Sequence, residues 1–86
     1  MKYKIKKNLI FEKKTKKITI FDSEKSIIYE LNEIGSLILK KIKNGKTTEE
    51  ISNILEKKFK VNKTEVFSDV INFIKQLKKN KLIFEE

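Results

Sequence analysis

Residues 27–51 read IIYELNEIGSLILKKIKNGKTTEEI, and within this stretch the apolar spacing changes from that of a strand to that of a helix. Ile27-Ile28-Tyr29-Glu30-Leu31 is rich in β-branched and aromatic residues, the side chains that pack well on a pleated surface. From Asn32 onward the period lengthens, with Ile34, Ile38 and Ile42 recurring along one helical face. Asn32 stands where an N-cap is needed, because its side chain can accept a hydrogen bond from an orphan amide of the first turn. Asn44-Gly45 closes this first helix, and Thr47-Thr48-Glu49-Glu50 opens the next as a capping box.

Toward the amino terminus, Leu9-Ile10-Phe11 and Ile18-Thr19-Ile20-Phe21 have the same strand character. The connections Lys13 to Lys16 and Asp22 to Lys25 are short and polar, so two tight hairpins join three antiparallel strands over about residues 9–31. Toward the carboxyl terminus, Ile51, Ile54, Leu55 and Phe59 line the second helix, Val61-Asn62 interrupts the pattern, and Asn62 with Glu65 caps a third helix. Leu82-Ile83-Phe84 follows as a short apolar tail. The expectation is an α+β, winged helix-turn-helix-like fold: three antiparallel N-terminal strands, then three α-helices over about 33–43, 48–59 and 63–79.

Eighty-six residues with no proline and two glycines form one domain, 1–86, too small for a catalytic domain plus a second lobe. Absence of histidine and cysteine removes the usual general base, the thiol nucleophile and most transition-metal ligands, so neither an enzyme nor a cofactor is expected. Glu49-Glu50 sit where a helix start favours negative charge, which accounts for them without catalysis. Met1 to Asn8 is lysine-rich without the apolar core of a secretory signal, and no apolar run is long enough to span a bilayer. A cytoplasmic protein is expected.

The net charge is +9, from 21 basic and 12 acidic residues, which would attract nucleic acid, acidic membrane or acidic peptide. Every basic residue is lysine, however, a compact hydrated charge without the planar fork by which arginine grips phosphate or guanine. Much of this charge therefore reads as solvated surface. The third helix carries Val66, Phe67, Val70, Ile71, Phe73, Ile74 and Leu77 over an arc of roughly 160°, wider than one core contact requires.

The run Glu30-Leu31-Asn32-Glu33-Ile34-Gly35, followed by Asn44-Gly45-Lys46-Thr47-Thr48-Glu49-Glu50-Ile51, resembles the PqqD-like family. That family has a leucine-asparagine-glutamate step into its first helix, an aspartate-glycine turn, here with Asn44 for aspartate, and a threonine-x-glutamate-glutamate-isoleucine helix start. The likeness continues through Phe59, Val61, Glu65, Asp69, Val70, Phe73, Leu77 and Leu82. What it implies is a recognition element for ribosomally made precursor peptides, holding an extended leader against the third strand and the third helix and presenting it to a separate enzyme. The implied partner is a peptide-modifying enzyme such as a radical SAM enzyme, or a leader peptidase, with no nucleic acid or membrane partner.

An extended peptide adds to a sheet edge through backbone hydrogen bonds while alternate side chains enter a groove. The implied peptide-binding residues are the strand Ser26, Ile27, Ile28, Tyr29, Glu30 and Leu31, with Phe67, Ile71 and Ile74 on the helix. Strand spacing separates Ile27, Tyr29 and Leu31 from Ile28 and Glu30 without deciding which set meets the ligand. Lys75 and Lys78, with Lys79, are placed to attract acidic leader residues, although lysines in the last turns of a helix also favourably meet its negative end. Asp69 either receives a basic leader residue or braces the fold through a lysine. A free edge also permits a dimer formed by edge pairing or domain swapping in place of a monomer.

The alternative is a winged-helix DNA-binding protein using the third helix. Its exposed residues Ser68, Asn72, Gln76 and Lys79 lie beside Glu65 and Asp69, a mixed face where a basic one is required.

Overall fold

The computed structural model describes residues 2–86. Its elements are β1 (Tyr3–Ile5), β2 (Leu9–Lys14), β3 (Lys17–Asp22), β4 (Ile27–Glu30), α1 (Glu33–Lys43), α2 (Thr48–Phe59), α3 (Lys63–Lys79) and β5 (Ile83–Glu85). The three expected strands and three expected helices are present as β2 to β4 and α1 to α3, in the α+β arrangement read from the sequence.

Two further strands extend that reading. β1 and β5 pair antiparallel, Tyr3 with Glu85 and Ile5 with Ile83, so the apolar tail is a strand and the lysine-rich start supplies its partner. Each is three residues long, too short to show alternation, and the pairing joins the two ends of the chain. Tyr3 and Ile83 become core residues through it.

The larger sheet has the order β2-β3-β4. Its inner rows carry the packing: Phe11, Ile20 and Tyr29 lie opposite one another, with Ile20 fully buried. The outer row Ile10, Phe21 and Ile28 faces away from the helices, leaving Ile28 61% exposed. Ile20 meets Ile38, Leu39 and Ile42 of α1, Ile51 and Leu55 of α2, and Val66, Val70, Ile74 and Leu77 of α3 in one core.

Local chemistry sets the helix limits. The Asn32 side chain accepts from the Gly35 amide at 2.7 Å. The capping box is reciprocal, the Glu50 amide donating to Thr47 Oγ1 at 3.2 Å and the Thr47 amide to Glu50 Oε1 at 2.8 Å. That backbone bond holds the Glu50 carboxyl below its ordinary range. Asn62 Oδ1 accepts from Thr64 and Glu65, and Gly45 at φ 79 supplies the left-handed residue after α1.

Asp22 at the end of β3 is fully buried and compensated. Lys6 Nζ donates to its Oδ2 at 2.9 Å, and the amides of Glu24 and Lys25 donate to Oδ1. The lysine hydrogen bond outweighs burial and holds the Asp22 carboxyl below the usual carboxylate range, while the same bond raises Lys6. One carboxylate thus ties the β1–β2 connection to the turn that leads into β4. Among the described residues no helix is long and apolar enough to cross a membrane.

Candidate functional site

β4 is the last strand of its sheet, so one side of its backbone has no ladder partner among the described residues. The Leu31 amide donates to the Ile18 carbonyl at 3.0 Å, and bonded pairs in an antiparallel ladder recur every second residue. Tyr29 opposite Ile20 and Ile27 opposite Asp22 therefore turn their backbone groups toward β3. Ile28 and Glu30 turn theirs to the free edge. A chain with 21 lysines places none in Ile27–Glu30, whereas β2, the other edge, ends in Lys13-Lys14. Lysine is a common guard against unwanted strand pairing, and β4 lacks that guard.

α3 is fastened near both ends of β4. At the turn before the strand, Lys25 Nζ donates to the Asn80 carbonyl at the α3 C-cap, 2.9 Å away. At the turn after it, Gly35 lies against Phe73, whose ring carbons would stand 2.8 and 2.9 Å from a β-carbon placed there. These two contacts hold the carboxyl-terminal half of α3 near both ends of β4. Tyr29 and Leu31 pack against the core, and Ile27, on the same strand face, is 42% exposed.

At the Asn32 end is a cleft of about 490 Å³ between the three helices. Its walls are mostly apolar, with Ile34, Val61, Val66 and Phe73 among them, and Glu65 and Asp69 add carboxylates. Asp69 forms no ion pair among the described residues, so it does not brace the fold through a neighbouring lysine. No lysine stands three or four positions from it along α3.

The sequence-predicted residues separate into groups. Ser26, at φ 55, belongs to the turn entering β4, and Ile27 to Leu31 form the edge and its continuation. Ile74 is 3% exposed and serves the core. Helical spacing puts Phe67, Ile71 and Lys78 on the flank opposite Asp69 and Phe73. Lys78 confirms this orientation by donating to Glu85 of β5 at 2.6 Å, the bond that raises its pKa, and by lying 6.0 Å from the Tyr3 ring centre. Lys75 points to solvent. The flank that meets the end of β4 is the one carrying Asp69 and Phe73.

Sequence reasoning offered Asp69 as a possible leader contact, but it did not place Phe73 against Gly35 or Lys25 against Asn80. One signal was available: Gly35 sits inside a helix, where glycine costs about 1 kcal/mol relative to alanine, and that calls for a close neighbour.

Among solved structures, TbiB1 in complex with the TbiA(beta) leader peptide is similar at TM-score 0.88 and 20% identity, covering 100% of both chains. Lasso peptide synthetase B1 complexed with the leader peptide is similar at TM-score 0.90 and 15% identity, over 99% of this chain and 100% of that one. At such identities the likeness establishes the shared fold. No curated protein matches the chain. The family model for coenzyme PQQ synthesis protein D (PqqD) matches residues 18–83, from the middle strand of the sheet to the first residue of β5, and the chain belongs to the PqqD family.

Proposed function

We propose that this protein binds the leader region of a ribosomally synthesised precursor peptide by strand addition to β4 and presents it to a separate modifying enzyme or leader peptidase. The observation that carries this reading is the unguarded edge at Ile28 and Glu30, with α3 fastened near both ends of the strand. Backbone groups at the edge provide affinity, and the face of Ile27, Tyr29 and Leu31 with Phe73 and Asp69 provides selection. The two structural neighbours, each recorded with a leader peptide, support the same use of the fold. They make lasso-type precursors the first class to test.

The protein acts by binding, and the chemistry belongs to its partner. The same edge admits pairing with a second copy, which leader binding would displace. A DNA-reading role fits less well, because the outward face of α3 mixes Ser68, Asn72 and Lys79 with Glu65 and Asp69. The direct test is fluorescence polarisation with labelled leaders of the precursor peptides encoded near this gene. Saturable binding at low micromolar concentration or tighter is expected. Failure to bind any of them removes the reading.

A further inference from the structure

A second cleft, of about 170 Å³, lies between the β2–β3 hairpin, α1 and the end of α2. Four lysines reach it from separate parts of the chain: Lys13 and Lys16 from either side of the hairpin turn, Lys40 from α1 and Lys58 from α2. Thr15 at φ 54 makes that turn tight enough to bring the first two together. Glu33 is the one carboxylate in the lining, 3.7 Å from Lys16. Lys13, Lys40 and Lys58 form no ion pair among the described residues. Like charges gathered this way repel one another, and an incoming anion relieves that repulsion.

We propose that this cleft receives an acidic segment of a protein partner, a carboxylate side chain flanked by apolar residues. The inference goes beyond leader binding and does not depend on the β4 edge. Its floor is apolar, made by Ile18, Leu37 and Phe59, which suits the stem of a glutamate and an apolar neighbour better than a phosphodiester backbone. Glu33 within the lining and lysine in place of arginine weigh against nucleic acid. Phe59 also lines the larger cleft, so the two clefts share a wall.

The test is an amide NMR titration of the intact protein with acetyl-tetraglutamate amide, run in parallel with inorganic phosphate and with a short duplex DNA. Saturable shifts are expected at Lys13, Thr15, Lys16, Leu37, Lys40 and Lys58, with a dissociation constant on the order of millimolar that weakens as salt is added. In the double variant Lys40→Gln, Lys58→Gln that affinity falls about tenfold while the melting temperature stays within a few degrees. Phosphate shifting the same residues equally well would overturn the carboxylate assignment, and tighter duplex binding there would replace the protein partner with nucleic acid. Shifts spread evenly over all lysine surfaces, or unchanged in the double variant, would remove the site. Because the titration is read away from β4, its failure leaves leader binding untouched, and failure of leader binding leaves it untouched.

Discussion

Gly35 and Phe73 meet in space that a side chain on residue 35 would occupy: a β-carbon there would stand 2.8 Å from Cε1 of the ring. The contact joins the start of α1, just beyond β4, to the middle of α3. Both residues line the cleft between the three helices, at the end of β4.

Gly35→Ala therefore separates binding from folding. Alanine gains about 1 kcal/mol of helix propensity, and displacing the half-buried ring of Phe73 costs about as much. The melting temperature is expected to change little, while leader affinity falls about tenfold as Phe73 is displaced. Calorimetric titration beside a thermal melt checks both.

The two flanks of α3 make opposite forecasts. Phe73→Ala removes part of the cleft wall and should weaken leader binding by about tenfold or more, with a loss of about 1–3 kcal/mol in stability. Phe67 is 41% exposed on the other flank, so Phe67→Ala should leave affinity within about twofold of the parent. Polarisation titrations of the two variants decide between the flanks.

Much of the fold was legible because its signals are local. Asn32, Thr47 with Glu50, and Asn62 each cap the helix that follows them, and each is readable from a few neighbouring residues. The β1–β5 pair was not legible, because two three-residue segments at opposite ends of the chain acquire meaning only when they meet. The strand character of β4 was legible in its local spacing, whereas the orientation of α3 was not. The wide apolar arc of α3 drew attention to Phe67 and Ile71, yet helix orientation depends on tertiary anchors such as Lys78 with Glu85 and Phe73 with Gly35. The four-lysine cleft was hidden for the same reason, since its lysines come from distant parts of the sequence.

Lys78→Ala should lower the melting temperature slightly, because it removes the bond to Glu85 that secures β5. Leader affinity should not change. Loss of leader binding in Lys78→Ala, with Ile28→Pro still binding, would make electrostatics, and not the strand edge, the main source of binding.

Asp22 and Lys6 predict the shape of stability against pH. The Asp22 carboxyl is depressed in the fold, so its contribution is complete above the ordinary carboxylate value of about 4 and is lost as pH falls through the lower folded value. Lys6 is raised, so its contribution is complete below the ordinary lysine value of about 10.4 and is lost as pH rises through the higher folded value. Thermal melts should show a plateau between these limits. Asp22→Asn should lower the plateau and flatten its acid side.

Proline tests the edge by parity. Ile28 turns its amide outward, so Ile28→Pro should abolish leader binding while the protein stays folded, as proline is tolerated on the free side of an edge strand. Tyr29 donates inward to β3, so Tyr29→Pro should unfold the sheet. Circular dichroism with a binding titration distinguishes the two.

Amide hydrogen exchange at Ile28 and Glu30, with and without leader peptide, is the measurement closest to the central claim. In the free protein both amides should exchange quickly while Tyr29 and Leu31 are protected by β3. On adding leader, Ile28 and Glu30 should become protected by about tenfold or more, because each gains a ladder hydrogen bond. Saturating leader that left both amides exchanging at their free rates would contradict strand addition at β4.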